Sequence, residues 1–253
     1  MATLTESLRE YLLFIGAHKV GFACLTPHKK WLEREYGAEW VDYPYAISIA
    51  INMPRAILKE LSLGPTLTYL RYYDAANTAL DHISLYGAEW LDARGFKAYP
   101  IPASQMIGEN HLRGIFSHRA AARLAGLGWV GKNCSIITPD RGPGQRFCTI
   151  MTDAPLPGAE PLTPRCGSCR CCTDICPVQA VKGVLWQEEQ PLSERLDVAA
   201  CHEFLLGIRK TFGKSVCGRC LAVCPYGNQR PEARDQNIEG AIYNRLQVDG
   251  DVI

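Results

Sequence analysis

The chain has 253 residues, 47% of them hydrophobic and 21% charged, a composition that supports a folded core and excludes an intrinsically disordered protein. Its 27 basic and 26 acidic side chains leave a net charge of +1, so charge gives no support to a nucleic-acid-binding function. No apolar run approaches the roughly 18 residues that a membrane span needs, and the N-terminus has no signal-peptide pattern. We therefore expect a cytoplasmic protein with no membrane association.

The first part of the chain carries patterns of both helix and strand. Thr3 and Glu6 have the spacing of a capping box, which predicts a helix that ends near Gly16. The next elements are predicted in the order strand, strand, long helix, edge strand and short helix, over residues 20–25, 45–53, 68–94, 97–102 and 118–125. The edge strand is placed at an edge because its two prolines have no backbone donor for a second neighbour.

Two further β-type runs, 134–138 and 146–152, are separated by a turn rich in glycine and proline, which predicts a β-hairpin. The fold class is therefore α+β for a first domain over 1–153. The Pro-rich segment 154–164 predicts a linker, since it can neither continue a helix nor serve as a central strand. A cysteine-rich second domain over 165–229 and a C-terminal tail over 230–253 complete the predicted organisation.

The chain has twelve cysteines, and in a reducing cytoplasm such thiols serve metal binding or catalysis rather than disulfides. The spacing C-x-x-C-x-x-C-x-x-x-C-P begins at Cys166, and C-x-x-C-x-x-x-C-P recurs from Cys217 with Cys201 upstream. This is typical of two 4Fe-4S clusters, each borrowing one ligand from the other loop. The expected ligands are Cys166, Cys169, Cys172 and Cys224 for the first cluster, and Cys201, Cys217, Cys220 and Cys176 for the second.

Structural zinc is the alternative for these cysteines, because C-x-x-C pairs also form four-thiolate zinc sites. Four cysteines of the first motif within 11 residues and the two Cys-Pro endings favour iron–sulfur clusters. The remaining cysteines, Cys24, Cys134, Cys148 and Cys171, are expected to be small buried residues rather than ligands.

A glycine-rich turn runs from Gly126 to Gly131 and formally matches the dinucleotide-binding pattern G-x-G-x-x-G. That pattern should follow a strand and open a helix, whereas here a helical stretch precedes the turn and a β-type run follows it. We therefore reject a nucleotide site. Three glycines in six residues still predict a close backbone approach, either to a flat ligand or to another segment of the chain.

The sequence resembles the cobalamin-dependent iron–sulfur reductases typified by epoxyqueuosine reductase, which are related to reductive dehalogenases. The resemblance runs from about residue 12 to residue 226. Besides both cysteine sets, it is carried by Gly16-Ala-His-Lys-Val-Gly-Phe-Ala23, Asn52-Met-Pro54, Arg71-Tyr-Tyr-Asp74 and Ala122-Arg-Leu-Ala-Gly-Leu-Gly-Trp-Val-Gly-Lys-Asn133. The combination of the glycine turn with the offset double-cluster pattern is specific, and either piece alone would be weak.

The resemblance implies a nitroreductase-like α/β domain that holds base-off cobalamin, followed by a ferredoxin-like two-cluster domain. Electrons would pass from reduced ferredoxin or flavodoxin through both clusters to the cobalt. The residues that it places nearest the corrin are Gly126, Gly128, Trp129, Gly131, Lys132 and Asn133. A solvated surface lysine is the alternative for Lys132.

The chain also departs from the family pattern. Epoxyqueuosine reductases carry a proton-donating aspartate some fourteen residues before the glycine turn, where this chain has Leu112. His111 and His118 are the candidate catalytic residues in its place, with Glu109 as a third, and for either histidine a structural role is the alternative. Members that act on tRNA carry a C-terminal helical repeat domain, whereas 29 residues follow Cys224 here. We therefore expect a short form that does not act on tRNA.

These observations predict an oxidoreductase that uses two 4Fe-4S clusters and a corrinoid to reduce a small or medium organic substrate. Two alternatives are open. The first is a corrinoid-binding reductase, activator or carrier that turns over no organic substrate, which the missing aspartate favours. The second is a plain electron-transfer iron–sulfur protein. Composition and motifs do not indicate the substrate or the oligomeric state.

Overall fold

A computed structural model describes residues 3–105, 107 and 114–227 of the chain. The predicted candidates His111 and Glu109, the Leu112 position and the tail 230–253 lie outside the described residues. No helix in the described part of the chain is both long enough and apolar enough to span a bilayer.

Six strands form two sheets within the described part of the chain. The strands are β1 (Lys19–Cys24), β2 (Tyr45–Asn52), β3 (Ala98–Ile101), β4 (Trp129–Val130), β5 (Ile136–Ile137) and β6 (Gln145–Thr152). The main sheet is antiparallel, in the order β1-β2-β6-β3, and β4 pairs with β5 separately. The helices are α1 (Leu4–Phe14), α2 (Lys29–Tyr36), α3 (Arg55–Glu60), α4 (Leu67–Asp92), α5 (His118–Leu124), α6 (Cys171–Asp174), α7 (Val198–Phe212) and α8 (Arg219–Ala222).

Most of the locally encoded elements are confirmed. The capping box at the start of α1 is formed by both of its hydrogen bonds, and the chain leaves this helix through Gly16 at φ +114°. Among the described strands β3 pairs with β6 alone and forms an edge of the sheet, which suits Pro100 because proline has no backbone donor. The fold is therefore a mixture of helices and antiparallel sheet.

The predicted hairpin between 134–138 and 146–152 is wrong. The strand β5 pairs with β4, whereas β6 pairs with β2 along its whole length and with β3 on its other side. Both edges of β6 are therefore occupied by strands that are distant in sequence. Burial of β6 in the middle of the main sheet outweighs the local tendency of the intervening turn to close a hairpin.

The main core lies between the sheet and the helices α1 and α4. Leu8 and Leu12 of α1 and Leu80 of α4 are fully buried against Ile47 and Ile150 of the two central strands. Burial of such side chains contributes about 1.5–3 kcal/mol each relative to exposure. The two helices therefore attach to the sheet mainly through apolar packing.

The Pro-rich segment 154–164 has no regular secondary structure but lies along the first domain. The N–H of Ala159 donates to the carbonyl oxygen of Phe22 at 3.1 Å, and Leu156 is buried in the main core. A Cβ at Gly158 would lie 2.7 Å from the backbone nitrogen of Cys24, so this close approach requires glycine. The domain boundaries on either side of this segment stay a prediction.

The cysteine-rich part packs against the first part through a small apolar cluster. Met53, Leu58, Leu61 and Tyr69 surround Ala222 of α8. An ion pair between Lys214 and Asp74 joins the end of α7 to α4. The space between these two parts of the chain contains the candidate site.

Candidate redox site

The first group of thiols lies in the loop 166–172 and at the end of α8. Burial, followed by the neighbouring thiols of Cys166 and Cys169, raises the pKa of Cys172 to about 11. Burial also raises the pKa of Cys224 to about 12, and the thiols of Cys166, Cys172 and Cys169 contribute to that rise. Cys224 also lines one small pocket together with Cys166, Cys169 and Cys172, so the fold brings it to the three cysteines of the first loop.

The second group joins Cys176 to α7 and α8. Burial, followed by the neighbouring thiols of Cys176 and Cys217, raises the pKa of Cys201. Burial raises the pKa of Cys220, with contributions from Cys217, Cys172, Cys201 and Cys176. Cys220 therefore neighbours its own group and also Cys172 of the first group, so the two groups are adjacent.

The glycine turn holds both cysteine loops. Lys132 is only 7% exposed, and its Nζ donates to the carbonyl oxygens of Gly167 at 2.7 Å and Cys169 at 3.0 Å. Asn133 Nδ2 donates to the carbonyl oxygen of Cys220 at 3.0 Å. A surface role for Lys132 is therefore excluded, and two consecutive side chains connect the turn to the two thiol groups.

The glycines of the turn approach other segments of the chain. A Cβ at Gly131 would lie 2.7 Å from Cγ1 of Ile137, and one at Gly126 would lie 2.9 Å from the carbonyl oxygen of Glu160. Gly128 faces the backbone carbonyl of Ile137 too closely for any Cβ. Trp129 is fully buried and packs edge-on against Tyr226, with ring centroids 4.8 Å apart. This stretch thus lies at the cysteine loops.

A cavity of about 590 Å³ is lined by Leu221, the sequence neighbour of Cys220 in the second thiol group. Its walls include Tyr69 and Tyr73 of α4, Ile136 of β5 and Met53, and residues of α5 and β6 also line it. Among the described residues, none of Gly126, Gly128, Trp129, Gly131, Lys132 and Asn133 lines it. Ser135 and Ile136, just after the turn, are the nearest residues that do.

Two neighbouring residues of β6 form a polar strip along the wall of this cavity. Gln145 lines it with Nε2 donating to Asn52 Oδ1 at 2.6 Å, while its buried Oε1 has no hydrogen-bond partner among the described residues. Arg146 donates to Asn77 Oδ1 at 2.7 Å, and its Cζ lies 4.1 Å from the ring centroid of Tyr73. The strip therefore offers one free acceptor and one cation to a ligand.

Tyr73 is a functional candidate that sequence reasoning missed. Its hydroxyl lies 3.2 Å from Ser104 Oγ. Burial opposes ionisation of Tyr73, but the Arg146 charge and hydrogen bonds with Ser104, Arg146 and Asn77 outweigh it and lower the pKa of the phenol. Tyr73 belongs to a segment that carries the family resemblance, but no local spacing pattern connects it with Arg146.

The imidazole of His118 also lines the cavity, with both nitrogens engaged. Nε2 lies 2.9 Å from the carbonyl oxygen of Pro102, to which it donates, and Nδ1 accepts from Thr149 Oγ1 at 2.8 Å. Burial lowers the pKa of His118 to about 4, although the Pro102 hydrogen bond opposes the shift. His118 is therefore neutral near pH 7, with its single ring proton already donated to backbone.

The four remaining cysteines have different surroundings. Cys148 and Cys134 are buried, and burial raises the pKa of each thiol. Cys24 is half-buried at the end of β1. Cys171 is half-buried beside the first thiol group, where burial and a hydrogen bond with Cys169 raise its pKa.

The chain is similar to proteins of known class over most of its length. It is 38% identical to an epoxyqueuosine reductase of Bacillus anthracis over 257 aligned positions, which cover 88% of this chain and 64% of that protein. The chain thus spans just under two thirds of the length of this relative. No protein-family model matches it.

Two solved structures share its fold. An epoxyqueuosine reductase solved with a tRNA stem loop gives a TM-score of 0.57 at 22% identity, covering 92% of this chain and 68% of that chain. A B12-dependent reductive dehalogenase gives a TM-score of 0.68 at 20% identity, covering 96% of this chain and 34% of that chain. At these identities the similarity establishes the fold alone.

Proposed function

This chain is a homologue of the epoxyqueuosine reductases, and we propose that it is an oxidoreductase that uses two 4Fe-4S clusters and a corrinoid to reduce an organic substrate. When bound, the clusters would supply one-electron transfer and the corrinoid a strongly reducing cobalt centre. The proposal rests mainly on the position of the second thiol group, which borders a cavity that is walled by both parts of the chain.

The thiol groups fit iron–sulfur clusters. Four thiols in each group match the four ligands of a 4Fe-4S cluster. Buried thiols resist ionisation in the free protein, and metal binding supplies the charge that stabilises them as thiolates. The ammonium of Lys132 adds a positive charge that favours the ionised form of Cys172. These observations support the eight cysteines that the sequence proposes as cluster ligands.

The order of the two clusters follows from their neighbours. Leu221, next to Cys220, lines the large cavity. Cys217 acts electrostatically on Tyr69, which lines the same cavity. We therefore assign the cluster of Cys176, Cys201, Cys217 and Cys220 to the position next to the cavity. The cluster of Cys166, Cys169, Cys172 and Cys224 would receive electrons first, from reduced ferredoxin or flavodoxin.

The large cavity fits part of a corrinoid. A corrin ring is flat and apolar on its faces and carries amide groups around its rim. Aromatic and aliphatic side chains such as Tyr69, Ile136 and Leu221 suit the faces, and the unpartnered Oε1 of Gln145 suits an amide donor. The glycine turn, which the family resemblance placed at the corrin, would contribute by holding the two cysteine loops beside it.

Tyr73 is the proposed proton donor. Tyr73 lines the cavity beside Ser104, whose Oγ lies 3.2 Å from the Tyr73 hydroxyl, and the Arg146 charge helps to hold the pKa of Tyr73 below that of an ordinary phenol. A lower pKa brings a donor nearer to the working pH and so favours proton transfer. His118 would instead position the β3 end of the cavity through Pro102 and Thr149. His111 remains a candidate from the sequence alone.

We propose a small or medium substrate rather than tRNA, on the net charge of +1 and on Leu112 in place of the family's aspartate. Reduction of epoxyqueuosine in tRNA is the second candidate, and the homology to epoxyqueuosine reductases favours it. A corrinoid activator or carrier and a plain electron-transfer protein complete the alternatives. A modified tRNA stem loop added to the reduced protein separates the first two, because only a substrate would be converted.

The direct test is an anaerobic absorption spectrum with iron and cobalt quantitation. The protein would be reconstituted with iron, sulfide and cobalamin and then desalted. We expect about eight irons and one cobalt per chain, since two 4Fe-4S clusters hold eight irons. Eight irons without retained cobalt would favour a plain electron-transfer protein. Fewer than about four irons with bound zinc would overturn the proposal.

The cluster ligands are tested by two neighbouring cysteines. Cys172→Ser should halve the iron content because it removes a proposed ligand of the first cluster. Cys171→Ser is the matched control, since Cys171 lies beside the same loop without a ligand role. Its iron content and spectrum should equal those of the wild type. Loss of iron from Cys171→Ser would show that the ligand assignment is mistaken.

A further inference from the structure

A second cavity, of about 360 Å³, adjoins the large one and contains two guanidinium groups that pair with no carboxylate of the described residues. Arg119 lines both cavities, and Arg195 lines the second. Both reach Cys134: Arg119 donates to its carbonyl oxygen at 2.6 Å, and Arg195 Nη1 lies 3.7 Å from its Sγ. The thiol between them is buried, and burial raises its pKa, so it offers no compensating charge.

Arg195 is the more unusual of the two. It is only 7% exposed, and its Nε has no hydrogen-bond partner among the described residues. A buried guanidinium normally pairs with a carboxylate or a bound anion, because a buried donor without a partner loses its hydrogen bonds to water and gains none in return. No described acidic side chain forms an ion pair with it or with Arg119.

The acidic residues of this cavity are already engaged elsewhere. Glu35 and Glu189 contact the exposed Arg34 at 3.0 and 3.9 Å. Glu188 lies 4.0 Å from His28 and also acts on Arg123, whose guanidinium stacks over Trp186. The positive charge of Arg119 and Arg195 is thus left to whatever occupies the cavity.

We propose that Arg119 and Arg195 form a binding site for a phosphoester group. Guanidinium groups present paired N–H donors that match the oxygens of phosphate, which makes arginine the preferred residue for such sites. The site rests on the proposed function in one respect only. A corrinoid in the large cavity would reach it with the phosphodiester of its nucleotide loop, whereas a phosphate-bearing substrate would reach it independently.

Two corrinoids distinguish these sources, because cobinamide lacks the nucleotide loop that cobalamin carries. Binding to the reconstituted protein would be followed anaerobically by corrin absorption. We expect cobalamin to bind about ten- to a hundredfold more tightly than cobinamide. This ratio of dissociation constants is what one hydrogen bond to a charged group typically contributes. Arg195→Gln should remove this preference. Arg34→Gln, a rim arginine with acidic partners, should preserve it.

A second arm uses inorganic phosphate and thermal unfolding. Equal affinity for the two corrinoids, together with phosphate that stabilises the wild type but not Arg195→Gln, would assign the site to a phosphate-bearing substrate. Equal affinity with no phosphate effect would overturn the inference. Failure of both corrinoids to bind would refute the proposed cofactor while the phosphate arm still tested the site. If Arg195→Gln does not fold, both experiments would be repeated with Arg119→Gln, because Arg119 is exposed.

Discussion

Lys132 and Asn133 are consecutive residues whose side chains serve two different cysteine loops. Lys132 satisfies two carbonyls of the loop 166–172, and Asn133 satisfies one in α8. Asn133 Oδ1 also accepts from the N–H of Ser135 at 3.1 Å, which fixes the side chain toward α8. Each side chain thus donates a hydrogen bond to backbone carbonyl oxygens, which need such a partner when they are buried. These contacts explain why a polar pair is buried here.

The order of the pKa values of three tyrosines in α4 is also testable at the residue scale. Tyr73 should ionise below the ordinary phenol value of about 10. Burial raises the pKa of Tyr72 to about 12 and also raises that of Tyr69. Subtracting the ultraviolet titration of Tyr73→Phe from that of the wild type should therefore give a phenolate signal at lower pH than the same subtraction for Tyr72→Phe.

The role proposed for Tyr73 fixes the direction in which the reaction rate should change with pH. A lowered pKa means that the phenol holds its proton at lower pH and loses it as pH rises through that pKa. Any reaction that needs this proton should slow over the same rise, and Tyr73→Phe should abolish the pH dependence. A Tyr73 signal at or above that of Tyr72 would count against Arg146 as the controlling charge.

At the scale of elements, a glycine in α4 allows this helix to pack closely against the sheet and α1. Gly87 lies at the contact, where a Cβ would come 2.7 Å from Ile150 Cδ1 and 2.8 Å from Leu12 Cδ2. Both neighbours are fully buried, so neither has free space to move into. Glycine is therefore kept in this helix for packing, although it lowers helix propensity.

A Gly→Ala substitution in each of two helices separates the effect of core packing from that of helix propensity. Gly87→Ala should lower the free energy of unfolding by about 1–3 kcal/mol, because it overpacks the core between α1, α4 and β6. Gly207→Ala in α7 should raise it by up to about 1 kcal/mol, since a Cβ there meets nothing within 4 Å. Urea unfolding measures both, and equal effects of the two changes would contradict this account.

At the scale of the molecule, the apolar cluster around Leu61 couples the two parts of the chain. Leu61 is fully buried, and Gly218 approaches so closely that a Cβ there would lie 2.6 Å from Leu61 Cδ1. Arg219 adds a hydrogen bond to the carbonyl oxygen of Leu63 at 3.1 Å. The large cavity opens beside this contact, so the contact maintains the spacing of its walls.

Truncation of Leu61 should therefore destabilise both the first part of the chain and the cysteine-rich part. Leu61→Ala should cost about 2–5 kcal/mol, as expected for a fully buried leucine. Hydrogen exchange should accelerate both in β2 and in α7, because the two parts lose a shared contact. Leu67→Ala, which changes a leucine that is 70% exposed, is the control and should leave exchange unchanged. Acceleration in β2 alone would show that the two parts open independently.

The sequence by itself determined features that depend on near neighbours. The capping box of α1, the length of α4 and the edge position of β3 each follow from residues a few positions apart. The cysteine spacing is local in the same way, because one short loop carries the three thiols that we propose for one cluster. Such patterns predict local structure without knowledge of the tertiary fold, because the residues that interact are close in sequence.

Only the tertiary structure decided the features that join distant segments. The partners of β6 lie far away in sequence, which is why the hairpin prediction failed. Tyr73 of α4 acquires its lowered pKa from Arg146 of β6, and Lys132 finds its acceptors in the loop 166–172. Arg119 and Arg195 converge on one cavity only after folding. Charges and hydrogen bonds act over a few ångströms in space, and no spacing rule along the chain encodes which distant residues will share that space.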